Sequence, residues 1–208
     1  MHAISDSTVV KNPGKDAKIL AVATKVFAEQ GFANADTQTI ADLANVGKGT
    51  VYRYYSSKEK LFLAVADFGM KKLEEHIFST MEGIEGTIQL IRSVGIAYAE
   101  FFQRHSELVE ILIQERAAFR GSIPDTHLVY RQKNRRVFED ILRQGIDEGV
   151  IRSINVRETT NTFANVLYGT VVCGCIEGST KHLKRMAKHA VEVFLRGIVT
   201  DSALAEGD

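Results

Sequence analysis

The chain has two cysteines, two prolines, no tryptophan and no net charge. Cys173 and Cys175 cannot build a disulfide framework, and C-x-C is neither a redox C-x-x-C nor half of a zinc set. A reducing, cytoplasmic setting is therefore expected, with the two thiols acting as buried small hydrophobes. Basic and acidic residues number 26 each, which excludes a broad basic or acidic surface, so any charged footprint must be local. No apolar run approaches the ~18 residues that span a bilayer, and the residues before Pro13 carry no apolar targeting segment, so no membrane partner is expected. The six histidines never fall in H-x-x-x-H spacing, and the sequence contains no glycine-rich phosphate loop, G-x-S-x-G or H-E-x-x-H. Neither metal, cofactor nor catalytic residue is expected.

What the sequence has is helical periodicity. Hydrophobic residues make up 45 % of 208, ample for a packed core, and they recur at i, i+3, i+4 and i+7. The expected fold is all-α with about nine helices: a helix-turn-helix head over residues 1–56 and a helical body over 57–200. Residues 1–12 and 201–208 read as flexible tails. The first helix, about 15–30, should stop at Gly31 with Phe32 as its hydrophobic latch. Short helices follow at about 37–43 and 47–53. In Ser56-Ser57-Lys58-Glu59 the S-x-x-E spacing predicts a capping box that opens a long helix at Ser56. In the body, a loop at 121–125 precedes a helix that stops near Gly149, and two further helices occupy about 157–179 and 181–200.

The segment from Phe163 to Ile176 is apolar nearly all round. That pattern predicts burial from two sides, by its own core and by a second copy of the chain. The expected dimer interface is Phe163, Leu167, Val171, Gly174 and Gly178, with Val191, Phe194 and Ile198 on the last helix.

The most specific signal lies between Thr37 and Tyr54. Ile40, Ala44, Val46 and Val51 have the spacing that packs two short helices across a tight turn, and Asn45 sits where the turn needs φ > 0. The second helix then presents Lys48, Gly49, Thr50, Tyr52, Arg53 and Tyr54 at an exposed end suited to a DNA groove. Thr50 offers a methyl and a hydroxyl to base edges, Lys48 a charge to guanine or phosphate, and the tyrosines phenols to phosphate. Thr37 and Lys58, each at a helix start, complete the expected contacts. Between residues 43 and 60, four lysines and arginines face one glutamate, which supplies the local positive footprint.

These residues resemble the TetR family of bacterial transcriptional regulators, whose motif runs I-A-x-x-A-G-V-S-x-G-T-x-Y-x-x-F-x-S-K-E-x-L-F. This chain reads in register from Ile40-Ala41 to Leu61-Phe62, with Asn45, Gly47 and Tyr55 in place of Gly, Ser and Phe. The resemblance covers about residues 15–65 by motif and the rest only by length and helical order. It implies a homodimeric regulator, more often a repressor than an activator, that binds double-stranded operator DNA and leaves it on binding a small-molecule effector. It also implies a mostly apolar cavity in the body. Polar and aromatic residues on otherwise apolar stripes are the candidates to line it: Tyr98, Glu115, Arg116, Phe119, Tyr130 or Arg131, Asn134, Phe138, Asn161, Asn165 and Tyr168. The rival readings are a helical small-molecule binder without DNA affinity and an enzyme using the same cavity.

Overall fold

The computed structural model describes residues 12–120 and 125–200, so the expected tails and the 121–125 loop, apart from Asn12 and Asp125, lie outside the described residues. Nine helices are described: α1 (Pro13–Asn34), α2 (Thr37–Ala44), α3 (Lys48–Tyr55), α4 (Lys58–Met81), α5 (Thr87–Arg104), α6 (Glu107–Ala118), α7 (Thr126–Asp147), α8 (Val156–Ile176) and α9 (Leu183–Ile198). A 3-10 turn, Thr180–His182, leads into α9, and the only β feature among the described residues is an isolated bridge between Ile151 and Val199.

Local chemistry sets the boundaries. Asn12, Asp36, Ser57, Asp125 and Asn155 each accept a first-turn backbone N–H of the helix that follows, and Pro13 opens α1 where no N–H is needed. The capping box expected at Ser56 is displaced by one residue. Ser56 adopts φ 57° and closes α3, whereas Ser57 accepts from the Lys60 N–H at 3.2 Å. Position N3 is therefore Lys60, and Glu59, at N2, bonds to the Ser57 side chain in place of the reciprocal box. Helix α8 ends at Ile176, short of the expected 179, where the chain turns through Gly178 at φ 71°.

Two cores share α4. Ile19, Phe27, Ile40, Ala44, Val51 and Tyr55 pack with Leu61, Phe62, Val65 and Ala66 to form the head, while Met70 and Leu73 join the larger core of α5 and α7–α9. The head core also takes Ile111 of α6 and, partly buried, Phe119. Gly31, at φ 77°, breaks α1 as its sequence suggested, and Phe32 folds onto Phe27, Phe62 and Phe119 with ring centroids 5.1–6.2 Å apart. The break interrupts the helical ladder, and Gln114 of α6 bonds on either side of it. Its amide Nε2 donates to the Phe27 carbonyl at 3.1 Å, and its Oε1 accepts the Phe32 N–H at 2.9 Å.

The expected dimer interface needs correction. Phe163, Leu167, Val171, Gly174, Val191 and Ile198 are buried within the protomer, and Phe194 packs on Phe163 at 4.8 Å. Only Gly178 is exposed. A helix that is apolar all round does not reveal which face meets its own core, and here α5 and α9 claim the face chosen from sequence. The face left outward on α8 carries Tyr168, Cys173 and Ile176, with Val193 on α9; Ile176 is 72 % and Val193 59 % exposed. Cys173 is thus on the surface rather than buried, while Cys175 is partly buried against the core.

Helix α5 runs against α9 so closely that a Cβ on Gly95 would stand 2.4 Å from Val191 Cγ2 and 3.2 Å from Phe163 Cζ. Gly95→Ala should therefore lower stability by about 1–3 kcal/mol, as overpacking does, measured as a reduced urea midpoint at unchanged m-value.

Candidate nucleic-acid interface and effector cavity

The helix-turn-helix forms as its residues predict. Asn45 adopts φ 55°, ψ 50° and closes α2, and the Val46 N–H returns to the Ala41 carbonyl at 3.0 Å. Val51 and Tyr55 are buried beneath α3, and the Tyr55 hydroxyl donates to Asp16 of α1. Gly47, Lys48, Gly49, Tyr52 and Arg53 are left on the outer surface, with Thr50 and Tyr54 half-buried beside them. No atom lies within 4 Å of where a Cβ on Gly47 or Gly49 would sit, so the protein's own packing does not require glycine at either position.

Two expected DNA contacts are engaged elsewhere. Thr37 is only 4 % exposed, with its hydroxyl 3.0 Å from that of Tyr52, while Asp36 caps α2. Thr37 thus holds a phenol that faces outward instead of facing outward itself. The Lys58 ammonium donates to the Ala33 and Ala35 carbonyls at 3.0 and 3.2 Å and lies 5.1 Å over the Phe32 ring. It ties α4 to the end of α1. Of the remainder, Lys48 sits 3.9 Å from Asp36, Arg53 lies over the Tyr54 ring, and Tyr54 Oη accepts the Asn12 N–H at 3.0 Å.

In the body, α4, α5, α7 and α8 line a cavity of about 160 Å3 that opens to solvent. Of the residues named from sequence, Tyr98, Asn134 and Phe138 line it, as do both alternatives at the next position, Tyr130 and Arg131. So do Phe163 and Leu167, which sequence had assigned to the dimer interface, together with Leu73, Ile77 and Met81 of α4. Phe138 stacks on Phe163 at 4.5 Å and 7°, forming an aromatic floor. Among the lining residues, Tyr130 Oη, Thr160 Oγ1 and Arg135 Nε are buried without a hydrogen-bond partner, although Arg135 Nε lies 3.0 Å from the Glu139 carboxylate as an ion pair.

The other expected ligand residues have different duties. Asn165 Oδ1 and the Asn161 carbonyl accept from the Arg131 guanidinium at 2.7 and 3.0 Å, so both asparagines act on the cavity through Arg131. Tyr168 packs on His127 with centroids 4.7 Å apart. Phe119 belongs to the head core, and Arg116 is exposed. Glu115, 2 % exposed, accepts the Thr126 N–H at 3.2 Å and the Thr126 hydroxyl, clamping the end of α6 to the start of α7. Burial pushes its carboxyl above the usual range.

His127 is the lining residue that sequence reasoning missed most plainly, although it shares a helical stripe with Tyr130, Asn134, Phe138 and Ile141. It is 8 % exposed, and Nε2 lies 3.0 Å from Tyr98 Oη. Burial lowers its pKa to about 4. Its native value thus lies below the ordinary 6.5, so the stability it confers is complete above pH 6.5 and is lost as pH falls toward 4. The full loss is about 3 kcal/mol. Glu115 has the opposite sign, because a raised carboxyl pKa favours the native state at low pH. Urea unfolding should show stability falling between pH 6.5 and 4.5, and His127→Gln should flatten that slope.

The comparisons with known proteins cover both parts of the molecule. The model described as bacterial regulatory proteins, tetR family, matches residues 19–65, and that for the QacR-like protein C-terminal region matches residues 109–200. The chain is similar to the uncharacterized HTH-type transcriptional regulator YvkB of Bacillus subtilis, 24 % identical over 189 residues that span 88 % of this chain and 97 % of that one. It is also similar to the HTH-type transcriptional repressor KstR2 of Mycobacterium tuberculosis, 28 % identical over 141 residues, 65 % of this chain and 68 % of that one. Its fold matches that of the transcriptional regulator FadR from Bacillus subtilis in complex with stearoyl-CoA, with a TM-score of 0.74 at 19 % identity, covering 88 % and 98 % of the two chains. With a helix-turn-helix head and a helical body each matched in turn, this chain belongs to the TetR family of bacterial DNA-binding transcriptional regulators.

Proposed function

We propose that this protein is a homodimeric repressor, held in the cytoplasm on near-palindromic operator DNA and released when a small amphipathic molecule enters the body cavity. The observation that carries this reading is the shared helix. Residues of α4 through Ala66 belong to the head core, while Leu73, Ile77 and Met81 line the cavity. A ligand that moves the far half of α4 therefore moves the head.

Each head would place α3 in a major groove, the two grooves lying about 34 Å apart. Lys48, Gly49, Thr50, Tyr52, Arg53 and Tyr54 are the proposed contacts. The outward face of Tyr168, Cys173, Ile176 and Val193 is the proposed seat of the second copy, since an exposed apolar face of this kind is otherwise unfavourable in water. The cavity, about 160 Å3, is smaller than the ~300–1,000 Å3 usual for ligand pockets. A ligand seated in it lies between α4 and α7, across which Lys133 and Glu74 pair at 3.1 Å, and one too large for the space pushes the two helices apart. A ligand with higher affinity for the widened body shifts the population away from the head spacing that fits DNA. The stearoyl-CoA bound by FadR supports an amphipathic effector. The protein acts by binding and release, without turnover.

Fluorescence anisotropy on an operator selected from random duplexes tests the head. Lys48→Ala should weaken specific and non-specific DNA alike and reduce the salt slope, whereas Thr50→Ala should mainly relax base preference. Gly49→Ala should fold at least as stably as the parent, because the site is open and alanine favours helix, yet lose DNA affinity if the backbone approaches the groove there. Ile176→Glu combined with Val193→Glu should convert the dimer to monomer in light scattering.

A further inference from the structure

We infer that the body cavity selects an anionic amphiphile, its acidic group taken by the Arg131 guanidinium and its apolar chain lodged between α4 and α7. This rests on the reading of the cavity as the effector site, and it names the chemistry of what enters.

Charge balance singles out Arg131. The other cations around the cavity have counter-ions: Arg135 lies 3.0 Å from Glu139, and Lys133 lies 3.1 Å from Glu74, the acidic lining residue. Arg131 pairs with no carboxylate among the described residues. Partly exposed at the cavity edge, it donates to neutral oxygens, Asn165 Oδ1 at 2.7 Å, the Asn161 carbonyl at 3.0 Å and Asn161 Oδ1 at 3.4 Å, which hold the guanidinium without neutralising it. A guanidinium has five N–H donors in a planar fork, so bonds to two asparagines leave donors uncommitted. His127, beside it, adds no charge near neutral pH.

A second observation points to the same occupant. Thr160, 6 % exposed, and the Tyr130 hydroxyl both reach the cavity with buried oxygens that have no partner. Buried polar atoms without partners carry a penalty that a ligand removes. A carboxylate is able both to accept from a hydroxyl and to balance a guanidinium. An alcohol meets the hydroxyls alone. The rest of the lining includes Leu73, Ile77, Met81, Phe138 and Ile141, which suits an aliphatic chain.

The anion could be the carboxylate of a free fatty acid or the phosphates of its coenzyme A thioester, and the probes separate them. Octanoate, octan-1-ol and octanoyl-CoA are titrated into the full chain by calorimetry, with operator release followed in parallel by anisotropy. Octanoate should bind at least tenfold more tightly than octan-1-ol. Arg131→Gln should abolish that preference by weakening octanoate while changing octan-1-ol less than threefold, and Arg131→Lys should restore part of it. Binding of octanoyl-CoA alone, again dependent on Arg131, keeps the inference and assigns the charge to phosphate. Equal affinity for octan-1-ol and octanoate, an Arg131→Gln variant with octanoate affinity intact, or no binding of either anion overturns it. The two readings fail differently. Arg131-dependent octanoate binding that leaves DNA bound defeats the effector reading only, and operator release by octan-1-ol but by neither anion defeats the anion inference only.

Discussion

The break in α1 at Gly31 is the constraint on which the rest of the arrangement depends. A left-handed residue there interrupts the helix and turns Phe32 into a ring cluster with Phe27, Phe62 and Phe119. The polar groups flanking the break are met by one amide from the body, Gln114. Each of the rings would be costly to expose, and the backbone groups would be costly to bury unpaired. Head and body are therefore joined by a packed and hydrogen-bonded seam, which α4 reinforces by running through both cores.

That seam places α6 between two events. One end of its surface meets α1 through Ile111 and Gln114, and at its C-terminus Glu115 clamps Thr126, the residue before His127 in the cavity wall. A buried carboxylate at such a joint is sensitive to geometry, because its desolvation is offset only while the Thr126 bonds hold. The cavity thus contacts the head along two routes, directly by α4 and through the α7–α6 joint. Under the proposed function, a ligand wedged among α4, α5, α7 and α8 acts on both, since dense packing responds to added volume by moving elements rather than compressing.

The head was readable from the chain because its constraints are local. Asn45 in the turn, Gly31 at the break and the spacing of Ile40, Ala44 and Val51 each act within a few residues, and all take the predicted places. The errors there are errors of neighbours: Ser57 rather than Ser56 caps α4, and the Lys58 ammonium meets carbonyls separated from it by more than twenty residues. In the body, Tyr98, Tyr130 or Arg131, Asn134 and Phe138 were legible as polar or aromatic interruptions of an apolar stripe, and all five line the cavity. Asn161 and Asn165 carried the same signal, yet they face Arg131, and Glu115 faces Thr126. A polar residue on a buried stripe announces a partner but not its identity.

By itself, then, the sequence determined an all-helical chain, the break at Gly31 and the turn at Asn45, and an exposed recognition helix, because periodicity and turn chemistry are local quantities. Tertiary structure decided which apolar face of α8 turns inward, why Gly95 must be small, and which charge at the cavity is left without a counter-ion. Those depend on residues distant in the chain meeting at a few ångströms, as Gly95 meets Val191 and Arg131 meets Asn165. Burial and charge compensation are properties of such meetings, and hydrophobic patterning within one segment carries no record of them.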